Sequence, residues 1–112
     1  MKKHIKYDRI EISESKLVGY LLNKNHSVGV HKAIYFESLG YNSENWQILR
    51  DALFEHVETA ENIDLVENQF GMKVVIINNL NGQNNRVAII KSIWFIENNE
   101  NILKFVTAYP EK

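Results

Sequence analysis

Residues 73–96 read KVVIINNLNGQNNRVAIIKSIWFI, two runs of β-branched and aromatic residues separated by a loop rich in asparagine and glycine. Branched and aromatic side chains favour strands because they pack well on a pleated surface. Asparagine and glycine tolerate left-handed backbone conformations, so the loop between the runs is predicted to be a turn. We therefore predict strands over residues 73–78 and 86–96.

Shorter apolar segments on either side extend the same pattern. A strand is predicted over residues 63–67, with a turn at 69–71 before the strand at 73–78. After the long strand, a second asparagine cluster at 98–101 predicts a turn into a last strand over 103–109. Because these connections are short, consecutive strands are expected to pair antiparallel.

Helical spacing dominates the first half of the chain. After a short extended segment at 7–12, helices are predicted over 15–22 and 28–39, and Gly40 is expected to end the second one in a left-handed cap. A third helix, capped by Asn42 or Ser43, carries an apolar stripe formed by Trp46, Leu49, Leu53, Phe54 and Val57. This order predicts an α+β fold, with N-terminal helices packed on one face of a four-stranded antiparallel β-sheet.

Length and composition restrict the class of protein. With 112 residues and 45% hydrophobic content, the chain is expected to form a single domain over residues 1–112. It has no apolar run long enough to span a membrane and no signal-peptide pattern at residues 1–8, so a cytoplasmic location is expected. The lack of cysteine excludes disulfides, a thiolate nucleophile and cysteine-based zinc sites.

Acidic residues are concentrated in one part of the chain, although the formal net charge is only -1. Residues 51–67 contain several carboxylates and no lysine or arginine. Asp51, Glu55 and Glu58 are spaced to share one face of the third helix, opposite its apolar stripe, and that face should be exposed. It is interpreted either as a solvated surface or as a docking surface for a basic protein partner.

The best candidate site lies in residues 21–41, LLNKNHSVGVHKAIYFESLGY, at the predicted start of the second helix. His31 and Lys32 stand in its first turn, where a cation opposes the helix dipole at a cost of about 0.3–1 kcal/mol. A phosphate is a natural partner for such cations because helix N-termini attract phosphates. His26 lies close by in the sequence and completes this cluster.

Metal and cofactor chemistry is not expected. His26 and His31 are separated by five positions, with no third histidine nearby and no acidic residue at a recognised ligand spacing. The chain also has no glycine-rich phosphate loop and no serine or cysteine nucleophile motif. We therefore predict no metal and no cofactor.

A set of glycine, polar and aromatic residues forms a pattern specific enough to suggest relatives. It comprises Leu21, Leu22, Asn23, His26, Gly29, His31, Lys32, Ala33, Phe36, Leu39, Gly40, Tyr41, Leu80, Gly82, Asn84, Arg86, Trp94 and the ending Val106-Thr107-Ala108-Tyr109-Pro110. This pattern resembles an uncharacterised bacterial domain family whose members often form the C-terminal tip of polymorphic toxins and also occur as small standalone proteins. The chain differs at Ser27, where relatives often have proline, and at Asn85, where they often have glycine.

The order of helices before a sheet also resembles the small ribonuclease fold of barnase-like and RelE-like toxins. This resemblance implies metal-independent cleavage of RNA, in which a ribose 2′-hydroxyl attacks the neighbouring phosphate. The reaction needs a general base, a general acid and cations around the phosphate.

The candidate residues divide by role under this interpretation. The catalytic candidates are His26 and His31 for proton exchange, Lys32 and Arg86 for phosphate neutralisation, and Thr107 or Tyr109 for a hydroxyl hydrogen bond. Tyr41 and Trp94 are candidates for stacking on a base. Each also has a structural alternative: a turn cap for His26, a solvated side chain for Lys32, loop carbonyl bonds for Arg86 and the core for Trp94.

Two hypotheses of different class remain open. The first is a metal-independent, toxin-type ribonuclease acting on RNA phosphodiesters, which the contiguous cations at residues 26–32 favour. The second is a small non-enzymatic interaction protein, such as a phage or mobile-element inhibitor or an immunity-like partner. The acidic face of the third helix favours this second hypothesis.

Overall fold

Five strands form one sheet in the computed structural model, which describes residues 5–111. The strands are β1 (Arg9–Glu11), β2 (Asn62–Asn68), β3 (Gly71–Asn81), β4 (Val87–Glu97) and β5 (Ile102–Pro110). Their order across the sheet is β1-β5-β4-β3-β2. Strands β2 to β5 pair antiparallel with their sequence neighbours, whereas β1 runs parallel to β5.

The predicted α+β class is confirmed, but the predicted four-stranded antiparallel sheet lacks one strand. The extended segment expected at 7–12 joins the sheet as β1, with Arg9 opposite Ile102, so the sheet has five strands and is mixed. A strand of only three residues carries too little alternation to reveal its partner. Its parallel pairing also depends on the long crossover that contains every helix.

The helical elements lie between β1 and β2. They are α1 (Glu14–Lys16), a π-helical turn (Leu17–Leu21), α2 (Val30–Ser38), a 3₁₀ turn (Ser43–Asn45) and α3 (Trp46–Glu58). The single helix predicted over 15–22 is therefore two short pieces. Within residues 5–111, no helix is long and apolar enough to cross a membrane.

The predicted helix boundaries around α2 and α3 are confirmed by their caps. Gly40 has a φ of 91°, the left-handed conformation expected after α2. The Asn42 side chain accepts hydrogen bonds from Glu44 N at 2.9 Å and Asn45 N at 3.1 Å. The Asn45 side chain bonds back to Asn42 N at 2.8 Å, which completes a capping box before α3.

The core lies between the helices and one face of the sheet. Leu49, Leu53 and Val57 of the predicted α3 stripe are buried, and Trp94 of β4 packs edge-on against Phe105 of β5 with ring centroids 5.1 Å apart. The other core residues include Leu17, Leu21, Phe36, Leu39, Tyr41, Val74, Ile76, Leu80, Ile90 and Leu103. Burial of this apolar surface is the main driving force for the fold.

The outward face of the sheet is more open to solvent. Along β3 and β4, buried side chains alternate with outward ones because successive strand residues point to opposite faces. Val74 and Ile90 are fully buried, whereas the outward residues Lys73 and Ile89 are exposed. We call this surface the open sheet face, and on β3 and β4 it includes Lys73, Val75, Ile77, Ile89, Lys91, Ile93 and Phe95.

Candidate active site

A lysine, a tyrosine and a threonine from separate elements meet at one edge of the sheet. The Lys32 Nζ donates a hydrogen bond to the Tyr20 hydroxyl at 2.9 Å. The same hydroxyl lies 3.2 Å from the Thr107 Oγ1. We call these three residues the hydroxyl cluster. Its geometry brings together Lys32 and Thr107, which the sequence analysis assigned to one catalytic set, and adds Tyr20.

The cluster occupies an edge of β5 that β1 leaves uncovered. The parallel pairing of β1 reaches only from Ile102 to Lys104, so no described strand covers this edge beyond Lys104. An open cleft of about 490 Å³ is found there. Its lining comprises Ser15, Lys16, Tyr20, His26, Val106 and Thr107.

A β-bulge shapes the part of β5 that faces the cleft. Ile93 of β4 pairs with Thr107, whereas the next residue, Trp94, pairs with Phe105. Val106 is therefore the extra residue of β5. Bulges of this kind redirect the side chains beside them, and here the bulge lies next to the hydroxyl cluster.

Gly29 allows α2 to begin directly against Tyr20. A Cβ atom at Gly29 would lie 2.7 Å from the Tyr20 carbonyl oxygen and 3.1 Å from its ring. Any larger residue would push the first turn of α2, and with it Lys32, away from the tyrosine. This close approach gives a physical reason for glycine at this position in the chain.

His26 closes the turn before α2 through one ring nitrogen. Its Nδ1 accepts hydrogen bonds from Val28 N at 3.0 Å and Gly29 N at 2.9 Å. Because Nδ1 accepts from both groups, the ring proton of His26 is on Nε2 in this arrangement. In that state His26 offers one N–H donor and no free nitrogen lone pair, so its geometry suits hydrogen bonding better than proton exchange.

The surroundings of Tyr20 change its acidity. Burial acts to raise the pKa of Tyr20. Hydrogen bonds from Lys32 and Thr107 act in the opposite direction, as does the positive charge of nearby lysines. As a net result the pKa of Tyr20 lies below its ordinary value of 10.0, because these groups stabilise the phenolate.

Aromatic rings surround the ammonium of Lys32 and the imidazole of His26. Lys32 Nζ lies 5.4 Å from the centroid of the Tyr20 ring and 5.9 Å from that of Tyr109. The Tyr20 ring also packs edge-on against His26, with centroids 5.2 Å apart. The distances to Tyr20 place this ammonium beyond the hydroxyl end of the ring, where it donates its hydrogen bond, and the Tyr109 ring adds a cation–π contact. Lys32 is thus positioned by Tyr20 and Tyr109.

Among the predicted catalytic residues, His26 and Thr107 line the cleft, and Lys32 and Tyr109 adjoin it, since Lys32 bonds to Tyr20 and lies beside Tyr109. The other two lie farther away. His31 follows Val30 in the first turn of α2 and is exposed, but the described lining of the cleft does not include it. Arg86 lies at the opposite end of α2, where its Nη1 donates to the Ser38 carbonyl at 3.3 Å. There the positive charge of Arg86 interacts favourably with the negative end of the helix dipole.

The two candidates for base stacking are in the core. Tyr41 is 1% exposed and donates its hydroxyl to the Asn81 carbonyl. Trp94 is fully buried, and its Nε1 donates to the Ser92 hydroxyl at 2.7 Å. Neither ring presents a face to solvent, so the structure does not support the stacking role for either residue.

The acidic face of α3 is exposed, as the sequence indicated. Asp51, Glu55 and Glu58 are all solvent-accessible. Asp51 lies 3.3 Å from the Arg50 Nε, and Glu55 accepts a hydrogen bond from the Asn81 side chain at 3.1 Å. The face therefore carries negative charge on the side of α3 away from the core.

Metal ligands do not converge in the part of the chain that is described. Residues 5–111 contain no group of three or more histidine and carboxylate side chains arranged to hold a metal ion. The hydroxyl cluster instead supplies a cation, a phenol and an alcohol. Such a set is suited to binding an anion and to transferring protons to or from it.

Tyr20 is the functional candidate that the sequence interpretation missed. It lies in an apolar segment with Leu17, Val18, Leu21 and Leu22, and that spacing marked it as part of a core-facing helix. The sequence did carry one sign that Tyr20 could have a functional role, because it is the only residue among 17–22 with a titratable side chain. The π-helical turn that directs it to β5 cannot be read from the spacing.

Comparison with known proteins links the chain to a family and a fold. A family described as a domain of unknown function, DUF6883, matches residues 3–112. A comparison with curated proteins gives no significant match. Among solved structures, a chain of the contact-dependent growth inhibition toxin–immunity protein complex from Klebsiella pneumoniae 342 has a TM-score of 0.70 and 13% sequence identity. The likeness covers 89% of this chain and 98% of that chain, and at this identity it shows a shared fold.

Proposed function

The chain belongs to the DUF6883 family, and from the hydroxyl cluster we propose that it is a toxin-type domain that cleaves RNA without a metal ion. The observation that carries this proposal is the position of the Tyr20 hydroxyl, 2.9 Å from the Lys32 ammonium and open to a cleft. A phenol next to a lysine forms a proton acceptor and a proton donor within one hydrogen bond.

The proposed reaction uses the two groups in turn. Tyr20 acts in its deprotonated form, which the neighbouring cations make more accessible. This phenolate takes the proton of a ribose 2′-hydroxyl, whose oxygen forms a bond to the neighbouring phosphorus. The bond from phosphorus to the 5′-oxygen breaks, and that oxygen takes a proton from the Lys32 ammonium. The products are a 2′,3′-cyclic phosphate and a 5′-hydroxyl. Proton transfer from Tyr20 back to Lys32 along their hydrogen bond restores both groups.

Other residues of the cleft stabilise the charge that develops on the phosphate. Lys16 lines the cleft and brings a second cation. The Nε2–H of His26 is available as a hydrogen-bond donor, since its Nδ1 is held by the turn. Thr107 makes a second hydrogen bond to the Tyr20 hydroxyl, beside that from Lys32, and so helps to orient it. Such preorganised donors contribute where negative charge forms.

The toxin setting of this proposal has separate support. The structural neighbour belongs to a complex of a contact-dependent growth inhibition toxin with its immunity protein. A fold shared with a chain of such a complex is consistent with a toxin-related or an immunity-like role for this chain and with a protein partner. The two lines of support, cleft chemistry and fold, do not depend on each other.

The test is cleavage of purified tRNA and ribosomal RNA in EDTA and in Mg²⁺. We expect cleavage in both, with 2′,3′-cyclic phosphate ends, and a loss of about 10²- to 10⁴-fold in the Tyr20→Phe variant. The double variant His26→Ala with Lys32→Ala should also be inactive and should relieve any toxicity to a bacterial host. Tyr35→Phe removes a hydroxyl from α2 outside the cleft lining and is the matched control.

Two results would overturn the proposal. One is a wild-type chain that leaves both RNA classes intact under each condition and is harmless at high expression. The other is cleavage that Tyr20→Phe retains at the wild-type rate. Thermal unfolding of each variant separates a lost hydroxyl from a lost fold.

The exposed acidic face of α3 supports a second candidate function, a non-enzymatic protein that binds a basic partner. Asp51, Glu55 and Glu58 lie on one accessible surface, and charge of one sign steers a partner of the opposite sign. Replacing all three residues by lysine should strongly slow association with the basic partner at low salt. The fold should be preserved, because the buried apolar stripe of α3 is unchanged. Recovery of the same partners from host lysate by the wild-type and reversed chains would eliminate this candidate.

A further inference from the structure

Lysines and aromatic residues stand side by side on the open sheet face. In the register of the sheet, Phe95 of β4 lies between Lys73 of β3 and Lys104 of β5. On the same face, Lys91 of β4 lies directly opposite Tyr109 of β5. Directly opposed residues have Cβ atoms about 4.5–5.5 Å apart, so each aromatic ring has a cation as its neighbour.

This surface is continuous with the cleft of the hydroxyl cluster. The Tyr109 ring lies 5.9 Å from Lys32 Nζ, and Lys32 bonds directly to Tyr20. Lys91 is the next residue across the sheet from Tyr109. A strand leaving the cleft over Tyr109 therefore meets Lys91 first. Phe95 follows four residues farther along β4, roughly 13 Å away at about 3.3 Å per residue.

The lysines on this face differ in whether they already form ion pairs. Lys104 forms ion pairs with Glu97 at 3.4 Å and Glu100 at 3.2 Å, so much of its charge is already neutralised. No ion pair within residues 5–111 involves Lys73 or Lys91. Those two lysines are the cations that an external anion would meet.

We infer that the open sheet face binds a single-stranded segment of the RNA substrate beside the cleaved bond, and this inference rests on the proposed function. Lys91 and Lys73 contact phosphates, and the Phe95 ring stacks on a base. Single strands are bound in this way by aromatic side chains that take any base and by cations along the backbone.

The pattern of side chains favours RNA over a second copy of the chain or another protein. The carboxylates Asp64 and Glu97 on this face each have a partner, so the charge available to a ligand is that of Lys73 and Lys91, which matches a phosphate chain. Val75, Ile77 and Ile93 lie between the lysines and offer apolar contact to the faces of bases. Lys91, Tyr109 and Lys32 are neighbours in turn, so this surface leads without interruption to the cleft.

The test is binding of a fully 2′-O-methylated oligonucleotide of about 12 nucleotides, which lacks the attacking hydroxyl and cannot be cleaved. The double variant Lys73→Gln with Lys91→Gln should weaken binding, and it should reduce the slope of log K against log salt by about 1.4, or about 0.7 for each lost phosphate contact. Phe95→Leu should weaken binding roughly 5- to 150-fold through lost stacking.

The matched control is Lys24→Gln with Arg50→Gln. It removes the same total charge from residues outside the sheet, since Arg50 is on α3 and Lys24 precedes α2. This variant should keep the wild-type affinity and the wild-type salt slope. Cleavage of a dinucleotide, which needs only the cleft, should be the same in all of these variants, whereas cleavage of long RNA should fall in the open-face variants alone.

The outcomes distinguish this inference from the proposed function. If no RNA is cleaved but the open-face variants bind the oligonucleotide more weakly than the control, the binding surface stands and the catalytic proposal fails. If wild type, open-face variants and control all bind alike, the inference is overturned. It is also overturned if the open-face variants bind the oligonucleotide with wild-type affinity but no longer bind a protein partner, since the face would then be a protein-docking surface.

Discussion

The ammonium of Lys32 lies 2.9 Å from the hydroxyl of Tyr20, although the two residues come from different helical elements. The contact depends on three local features: the π-helical turn that carries Tyr20, the first turn of α2 that carries Lys32, and Gly29 between them. A lysine in the first turn of a helix opposes the dipole, and its partner here is a phenol that it makes more acidic.

Replacement of Lys32 by methionine should raise the pKa of Tyr20. The lysine lowers that pKa both by its hydrogen bond and by its charge, and methionine keeps the length of the side chain without either. The measurement is titration of tyrosinate absorbance, with Tyr20→Phe and the double variant Tyr20→Phe with Lys32→Met used to isolate the Tyr20 signal. An unchanged Tyr20 titration in Lys32→Met would contradict the coupling.

Replacement of Gly29 by alanine should destabilise the protein and separate Lys32 from Tyr20. The added methyl group would lie 2.7 Å from the Tyr20 carbonyl, a backbone atom that cannot rotate away. We expect a loss of about 1–3 kcal/mol in the free energy of unfolding. Gly19→Ala is the control, because a Cβ at Gly19 meets nothing within 4 Å in the described structure. Equal stability of the two variants would refute the prediction.

Much of the fold was predictable because several signals agreed. The Trp46, Leu49, Leu53 and Val57 spacing and the Asn42 cap placed α3 correctly, and the β-branched runs placed β3 and β4. The asparagine clusters form the expected turns, and Asn85 has a φ of 65°. That left-handed conformation also explains why glycine would fit the same position in relatives.

The features of the fold and of the site that the sequence did not predict depend on tertiary contacts. The π-helical turn and the bulge at Val106 are local irregularities that follow from packing, and the periodicity of the sequence does not encode them. The sequence predicted Lys32 and Thr107 as parts of a site, but not that Tyr20 would lie between them. Trp94 and Tyr41 are aromatic residues of the kind that stack on bases, and only their burial in the structure shows that they belong to the core.

Replacement of Arg86 by alanine should affect stability and leave catalysis intact. Arg86 bonds to the Ser38 carbonyl at the C-terminal end of α2, away from the cleft. Loss of this cation at the negative end of the helix should cost about 0.3–1 kcal/mol in the free energy of unfolding. RNA cleavage per folded molecule should be unchanged, in contrast to Lys32→Met. A large loss of activity at wild-type stability would instead place Arg86 in the catalytic machinery.

A buried hydrogen-bond chain joins α3 to the sheet through His56. The Trp94 Nε1 donates to the Ser92 hydroxyl, which lies 2.8 Å from His56 Nε2. On the other side of the ring, His56 Nδ1 lies 3.1 Å from the Asn79 carbonyl. A carbonyl only accepts, so Nδ1 carries the proton and Nε2 accepts from Ser92. A neutral imidazole satisfies all of these groups, whereas a second proton on Nε2 would reverse the bond to Ser92, leave the serine hydroxyl hydrogen without this acceptor and place a charge on a buried ring.

Acidification should therefore destabilise the fold through His56. Burial lowers the pKa of His56 below its ordinary value of 6.5, more than the Asn79 carbonyl raises it. As the pH falls below about 6.5, the unfolded chain binds a proton that the folded chain excludes, so stability falls by at most about 1.4 kcal/mol per pH unit until the folded pKa is reached. His56→Gln keeps a donor and an acceptor but cannot titrate. Its stability, measured by urea unfolding between pH 7 and pH 5, should vary less with pH than that of the wild type, and parallel curves for the two proteins would refute the assignment.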